Sequence, residues 1–543
     1  MRLHLTTRVA AVATAVAIAA CGTVRATATA TATLGAKVAT ATATATATLG
    51  AKVATATATA TATPGAKAGT QARAARSTSD GDWTQFGYNA QRSDVGPANT
   101  GITAANVSQL TARTVELPGT VDSSPIQVHD LRIGGRSRDV IVVTTTYGRT
   151  LALDAETGAT LWQYTPPGIG SYQGSPQITT ATPIVDPNRR YVYAASPDGI
   201  IHKLSLLTGR QVLSGGWPVT VTFDPAHEKI ASALNISGND LVVVTGGYIG
   251  DIPPYDGHVV LINRSSGRIT HVWNSICSDR HGLIHADSCP YATAVGDNAI
   301  WGRSGAVIEP GTGRILVSTG NGAFNGSTNW GDSVLELSPT LKLLHNWTPT
   351  DEVDLDDHDL DLGSTSPALL GVVDGYNLAV QGGKAGVLSL LNLNRLDGTT
   401  GGPSARLGGE LQDIATPGGS EVLTTPAVWH KGGRTWLFVG DDTSTAGYLL
   451  GTSKGRPRLS VAWEQSTPGT SPILAGGLLY VYNPDGGLVI RRPTTGQALA
   501  TLPAASGHWN SPIVIGGRIV LPEGNANDHQ TSGTLLIYHL PGR

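Results

Sequence analysis

From about residue 81 onward, short apolar runs alternate with turn residues, and two phrases recur. One is a strand start in which Ser or Thr precedes Pro and an apolar residue. It occurs at Ser124-Pro125-Ile126, Thr182-Pro183-Ile184, Ser366-Pro367-Ala368, Thr425-Pro426-Ala427, Ser471-Pro472-Ile473 and Ser511-Pro512-Ile513. The other is an apolar strand running into a Thr-Gly or Ser-Gly turn, at 151–158 with Trp162 behind it, 204–209, 260–267 with Trp273 behind it, and 492–496. Proline suits the first residue of a strand, where a missing N–H leaves no ladder bond unmade. A period of roughly 40 to 60 residues made of strands and turns predicts a radial array of four-stranded sheets, an all-β propeller. About 460 residues are available, enough for seven or eight blades. The Trp or apolar residue after each Gly turn is expected to pack between neighbouring blades. The ring must also close, and the stretches 112–116 and 533–538 stand at opposite ends of the folded region to share the closing blade. In such a wheel, ligands sit at the mouth of the central channel.

The first 80 residues do not follow this pattern. Arg2 and Arg8 precede an apolar run of small residues over 9–20, an export signal. The run ends Ile18-Ala19-Ala20-Cys21-Gly22, which matches a bacterial lipobox, so Cys21 is expected to be lipidated; the bland alternative is an ordinary signal peptide. Residues 21–80 are Ala/Thr-rich and repeat one block, with almost no large apolar side chain to offset ordering entropy by burial. They read as a disordered tether whose coil spans on the order of 40 Å. The expected organisation is signal peptide 1–20, tether 21–80 and propeller 81–543, exported and anchored to the cell envelope through the N-terminal lipid.

Charge removes one class of partner. Lys and Arg number 37 against 40 Asp and Glu, a net charge of −3, and no basic stripe is interleaved with aromatics, so nucleic acid is not expected as a ligand. Of three cysteines, Cys277 and Cys289 remain after Cys21, and in an exported protein they are expected to form a disulfide. Their even spacing with His281 and His285 invites a zinc reading. A straight helix would hold the outer cysteines about 18 Å apart, so only a folded-back loop could build that site. No Cys-x-x-Cys-His is present for a covalently attached c-type haem.

The stretches 153–162 and 82–92 resemble the pyrroloquinoline-quinone (PQQ) repeat propellers, and the resemblance extends over about 81 to 541. That family includes alcohol dehydrogenases such as methanol and polyvinyl alcohol dehydrogenase, a non-catalytic outer-membrane assembly lipoprotein, and tetrathionate hydrolase. The resemblance implies eight blades. It also implies roles. Trp301, in a Trp-Gly strand, would be the plate on which a flat quinone stacks, and Asn321, in a Gly-Asn turn, an amide ligand of Ca²⁺. Asp354, in 348–354, would be a metal ligand and the base that takes the substrate hydroxyl proton. Val353 stands there where the family has Trp. Lys384 would contact the quinone oxygens. A third ligand should be a Glu of an earlier blade; the nearest match is Asp251. The adjacent cysteine pair of methanol-dehydrogenase-type enzymes is absent.

Each residue has a plainer role open to it. Trp301 could pack a blade, Asn321 could form a left-handed turn, the acidic stretch 354–361 could be a solvated loop, and Lys384 a solvated surface charge. Asp332 could cap a turn or face the pocket. Three functions therefore stay open: a PQQ- and Ca²⁺-dependent dehydrogenase acting on an alcohol or polymer hydroxyl at the channel mouth; a cofactor-free envelope scaffold that binds a protein or glycan; and a cofactor-free hydrolase of the tetrathionate type that uses an acidic-loop carboxyl.

Overall fold

The computed structural model describes residues 81–290, 298–396 and 406–541. The export signal, Cys21 and the tether lie outside the described residues. Eight four-stranded antiparallel sheets form a ring. In chain order the blades occupy 126–164, 184–220, 235–274, 307–347, 368–415, 427–465 and 473–502 (blades 1 to 7). Blade 8 combines Ile513–Ile515, Arg518–Glu523 and Gly533–His539 with Thr111–Leu117 from the start of the domain. The register there pairs Ala112 with Tyr538 and Glu116 with Thr534, so the two stretches expected to close the ring do so.

The repeated phrases map onto this plan. Each Ser/Thr-Pro pair immediately precedes the first strand of a blade, at Ile126, Ile184, Ala368, Ala427, Ile473 and Ile513. First strands touch between blades 3 and 4, 5 and 6, 6 and 7, and 7 and 8, which puts them on the axis side of the ring. The Gly turns seat the tryptophans. Trp162, on the outer strand of blade 1, donates Nε1–H to the Leu206 carbonyl of blade 2 at 2.9 Å, and Trp463 of blade 6 does the same to Pro493 of blade 7 at 2.7 Å. A Cβ on Gly209 would lie 2.5 Å from the Trp162 ring. Gly209 also has φ +66°, a left-handed geometry that only glycine adopts freely. At the closing blade Val115 takes the place of Trp, against Gly158.

The segment 82–97, which carries part of the family resemblance, crosses the axis. Its backbone bonds to the second residue of the first strand in blades 1, 2, 4, 6 and 7: Trp83 with Gln127, Thr84 with Val185, Ala90 with Ile308, Ser93 with Val428 and Asp94 with Leu474. Buried Arg92 spans further, to the carbonyls of Phe86, Leu234 and Ser304 at 2.7, 2.8 and 3.0 Å. The channel is thereby floored, and the loops that feed the first strands stand on the other side of that floor.

The cysteines form a disulfide, Cα–Cα 6.1 Å, and His281 and His285 are exposed. The loop it closes is tied to blade 4, because Trp330 Nε1 donates to Ser278 Oγ at 2.9 Å and Ser278 N to the Thr328 carbonyl at 2.9 Å. Among the described residues no helix is long and apolar enough to cross a membrane.

Candidate active site

Loops from blades far apart in sequence meet on the axis. Asp361, in the turn before blade 5, is the hub. Its carboxylate accepts the Asn321 backbone N–H at 2.9 Å and the Trp301 Nε1–H at 3.3 Å, and pairs with Lys384 Nζ at 2.6 Å. Lys384 also bonds Asp359 at 2.8 Å, and Asp359 accepts the Asn321 side-chain amide at 3.0 Å. The Lys384 ammonium stands 5.6 Å from the centre of the Trp301 ring, a cation–π distance. Trp301, Asn321 and Lys384 are thus neighbours. Glycine makes the approach possible: a Cβ on Gly320 would lie 1.9 Å from Asp361 Oδ1.

The site is electrostatically tense. Burial raises the Asp361 carboxyl pKa, and Lys384 and the Asn321 N–H pull it back. Burial opposes the Lys384 charge, but the two carboxylates outweigh it and hold the ammonium protonated well above its usual range. Asp332 is buried, accepts the Leu362 N–H at 2.9 Å and so fixes the turn that carries Asp361. Burial, with Asp361 and Asp356 nearby, drives the Asp332 carboxyl well upward, while the Leu362 N–H and Lys384 oppose it.

Asp251 lies on the blade 3 loop. Its carboxyl pKa is raised by burial and then by the negative charge of Asp361 and Asp359, and it accepts the Tyr255 hydroxyl at 3.1 Å. Asp354 is elsewhere. It sits on a short helix, α1 (Glu352–Asp357), with its side chain 67% exposed, and it pairs with His358 at 3.3 Å on the same turn. The carboxylate within hydrogen-bond reach of Trp301, Asn321 and Lys384 is Asp361.

Beside this cluster is a second one that sequence reasoning did not single out. Trp509 faces Trp301, ring centroids 5.6 Å apart at 31°. His508 stacks on Trp509 at 4.0 Å, and the Arg303 guanidinium lies 5.0 Å from the same indole. Both converge on buried Asp122, Arg303 at 2.9 Å and His508 at 2.6 Å. Burial would raise the Asp122 carboxyl, but Arg303, His508 and the Ala526 N–H hold it well below the usual carboxylate range. A signal for these residues was present: Asp122 and His508-Trp509 stand just before the Ser124-Pro125 and Ser511-Pro512 strand starts, the position that reaches the axis.

The donor set suits a hard cation in part. The Asn321 amide oxygen is buried without a partner beside the Asp361 carboxylate, and both are the oxygen ligands that Ca²⁺ takes. Among the described residues no group of three or more His, Cys, Asp or Glu is arranged to hold a metal alone. The residues therefore fit an ion that completes its shell from a bound cofactor or water, above an indole able to carry a flat ring.

Residues 103–330 match the family model described as outer membrane protein assembly factor BamB. No curated protein matches the sequence. Among solved structures, the quinohemoprotein alcohol dehydrogenase of Comamonas testosteroni is similar at 16% identity and TM-score 0.61, covering 87% of this chain and 82% of that one. The quinohemoprotein alcohol dehydrogenase of Pseudomonas putida HK5 matches at 16% and TM-score 0.61, covering 86% and 81%. A europium-containing methanol dehydrogenase matches at 16% and TM-score 0.60, covering 85% and 98%. At these identities the likeness is one of fold.

Proposed function

We propose, from the premise that this chain is a PQQ-type β-propeller, that it is an oxidoreductase acting on a hydroxyl group at the channel mouth. One observation supports this most: Trp301, Asn321, Asp361 and Lys384, from four separate loops, meet at one point on the axis. Trp301 would carry the face of PQQ, while Asn321 Oδ1 and Asp361 would ligate Ca²⁺, with Asp251 the nearest further carboxylate. Bound there, the quinone would supply the two-electron acceptor. The chain's own part is proton handling. Burial raises the Asp361 pKa and the Lys384 ammonium offsets part of that rise; as the carboxylate, Asp361 would accept a proton from a hydroxyl presented to it. Lys384 keeps that carboxylate in one orientation. The floor laid by 82–97 limits approach to the opposite mouth.

Full-length protein titrated with PQQ at increasing Ca²⁺ tests this. Uptake of one quinone per chain, with dye reduction on adding an alcohol, is the expected result. No uptake at any Ca²⁺ concentration sinks the redox reading. A second reading then takes over, a non-catalytic scaffold binding a protein or glycan; it is favoured by the lack of a self-sufficient metal cluster among the described residues. On either reading we propose export and lipid anchoring at Cys21. Cells fed radiolabelled palmitate should label the protein, and Cys21→Ser should abolish the label.

A further inference from the structure

The Arg303 side of the axial pit carries positive charge that the protein does not compensate. Among the described residues Asp122 is the one carboxylate contacting it, and both its oxygens are occupied: Oδ1 by Arg303, Oδ2 by His508 and the Ala526 N–H at 3.0 Å. Arg303 is 5% exposed, and its Nε is buried without a partner. Lys229 lies in the same field: it is half-buried and feels the charges of both Arg303 and Asp122. Its backbone pairs with Gly246, whose missing Cβ would touch Trp301. Among the described residues Lys229 Nζ has no hydrogen-bond or ion-pair partner. His508 uses Nδ1 on Asp122, leaving Nε2 without one. Burial, with the Arg303 charge beside it, pulls the Lys229 ammonium down to about 7, Asp122 resisting.

An enclosed ammonium without a counter-ion is costly to keep, and cores retain such groups where a ligand needs them. We propose that Arg303, Lys229 and His508 form a carboxylate-binding subsite, and that the proposed substrate is a small hydroxy acid. Arg presents a planar donor fork that matches a carboxylate, and Lys229 adds a mobile point charge. The Trp301–Trp509 pair separates this pole from Asp361, so a ligand lying along the indoles offers its hydroxyl to one end and its carboxylate to the other. The inference rests on the oxidoreductase reading for the hydroxyl end, but its carboxylate end is measurable without any quinone.

The experiment is calorimetry on the quinone-free full chain with lactate and with propane-1,2-diol, which replaces the carboxylate by a neutral CH₂OH. Lactate should bind, and the diol at least about tenfold more weakly. Lys229→Met should weaken lactate by at least about tenfold while the ligand-free melting temperature holds or rises, because a buried unpaired charge is removed. Lys229→Gln serves as a second, polar variant with the same expected loss. Absence of lactate binding, equal binding of the diol, or indifference to both substitutions overturns the proposal. A final arm adds PQQ. Lactate binding that persists supports a substrate subsite. One-for-one displacement by PQQ assigns the pocket to the carboxylates of the quinone and overturns the hydroxy-acid assignment. Failure of PQQ uptake with lactate binding intact sinks the redox reading alone.

Discussion

Two aspartates seven positions apart divide the chemistry of the acidic loop. Asp361 touches Trp301, Asn321 and Lys384, whereas Asp354 faces solvent from α1. Asp361→Asn keeps the shape but removes the proton acceptor, so dye reduction by PQQ-loaded protein should fall by about 10² or more. Asp354→Asn should change it by less than about twofold. The reverse ranking would return the base to Asp354. Trp301, Asn321 and Lys384 were legible in the sequence because each sits in a Gly-bounded turn with a distinct neighbour. Asp361 was not, because several carboxylates crowd 351–361 and nothing in the spacing shows that one helical turn will rotate Asp354 outward. Another residue-scale expectation concerns His202, which is buried with Nε2 on Ser196 Oγ at 2.7 Å and Nδ1 near Gln211 Nε2 at 2.9 Å. Burial lowers its pKa to about 4, below the ordinary 6.5. The unfolded chain therefore binds this proton first, and stability should fall as pH drops from about 6.5 to about 4, by on the order of 3 kcal/mol. Urea midpoints across that range should be flatter for His202→Gln, since the other titrating groups are common to both proteins.

At the scale of the element, the Thr-Gly turn and the tryptophan of the preceding blade form one device. Gly209 supplies both the left-handed turn and the space for the Trp162 ring. Gly209→Ala should destabilise by about 2–4 kcal/mol, from strained φ and a side chain forced into an indole, read as a lowered urea midpoint. Gly134, with φ +60° but open space around it, isolates the first effect; Gly134→Ala should cost about 1 kcal/mol. This device was readable in advance because it repeats. The seating of Val115 on Gly158 was less so, since the closing blade draws its strands from both ends of the domain and the phrase is split. The disulfide loop is a different kind of element, an insertion tied to the strand turn that follows Asn321. Reduction of Cys277–Cys289 should leave the blades folded and loosen 277–289, read as faster amide exchange there.

The whole molecule joins these scales through closure. Asp122 and His508 are 386 positions apart yet bonded at 2.6 Å, and what brings them together is blade 8, where Thr111–Leu117 completes a sheet begun by Ile513–Ile515. The strand Gly533–His539 lies between those partners and buries Leu535, Leu536, Ile537 and Tyr538. At about 1.5–3 kcal/mol for each large side chain, its loss removes on the order of 6–12 kcal/mol, comparable with the entire stability of a domain. A chain ending at Ser532 should therefore lose the cooperative urea transition of the full protein. The axial site makes a stricter demand. Even if the first seven blades stay folded, the blade 8 loop is freed, and His508 and Trp509 no longer hold station against Asp122, Arg303 and Trp301. Lactate and quinone binding should then vanish together in a protein that retains most of its β-sheet circular dichroism. Retained binding in that truncated chain would mean that the ligand site lies away from the axis, because no wheel with an open rim can keep those side chains at their present distances.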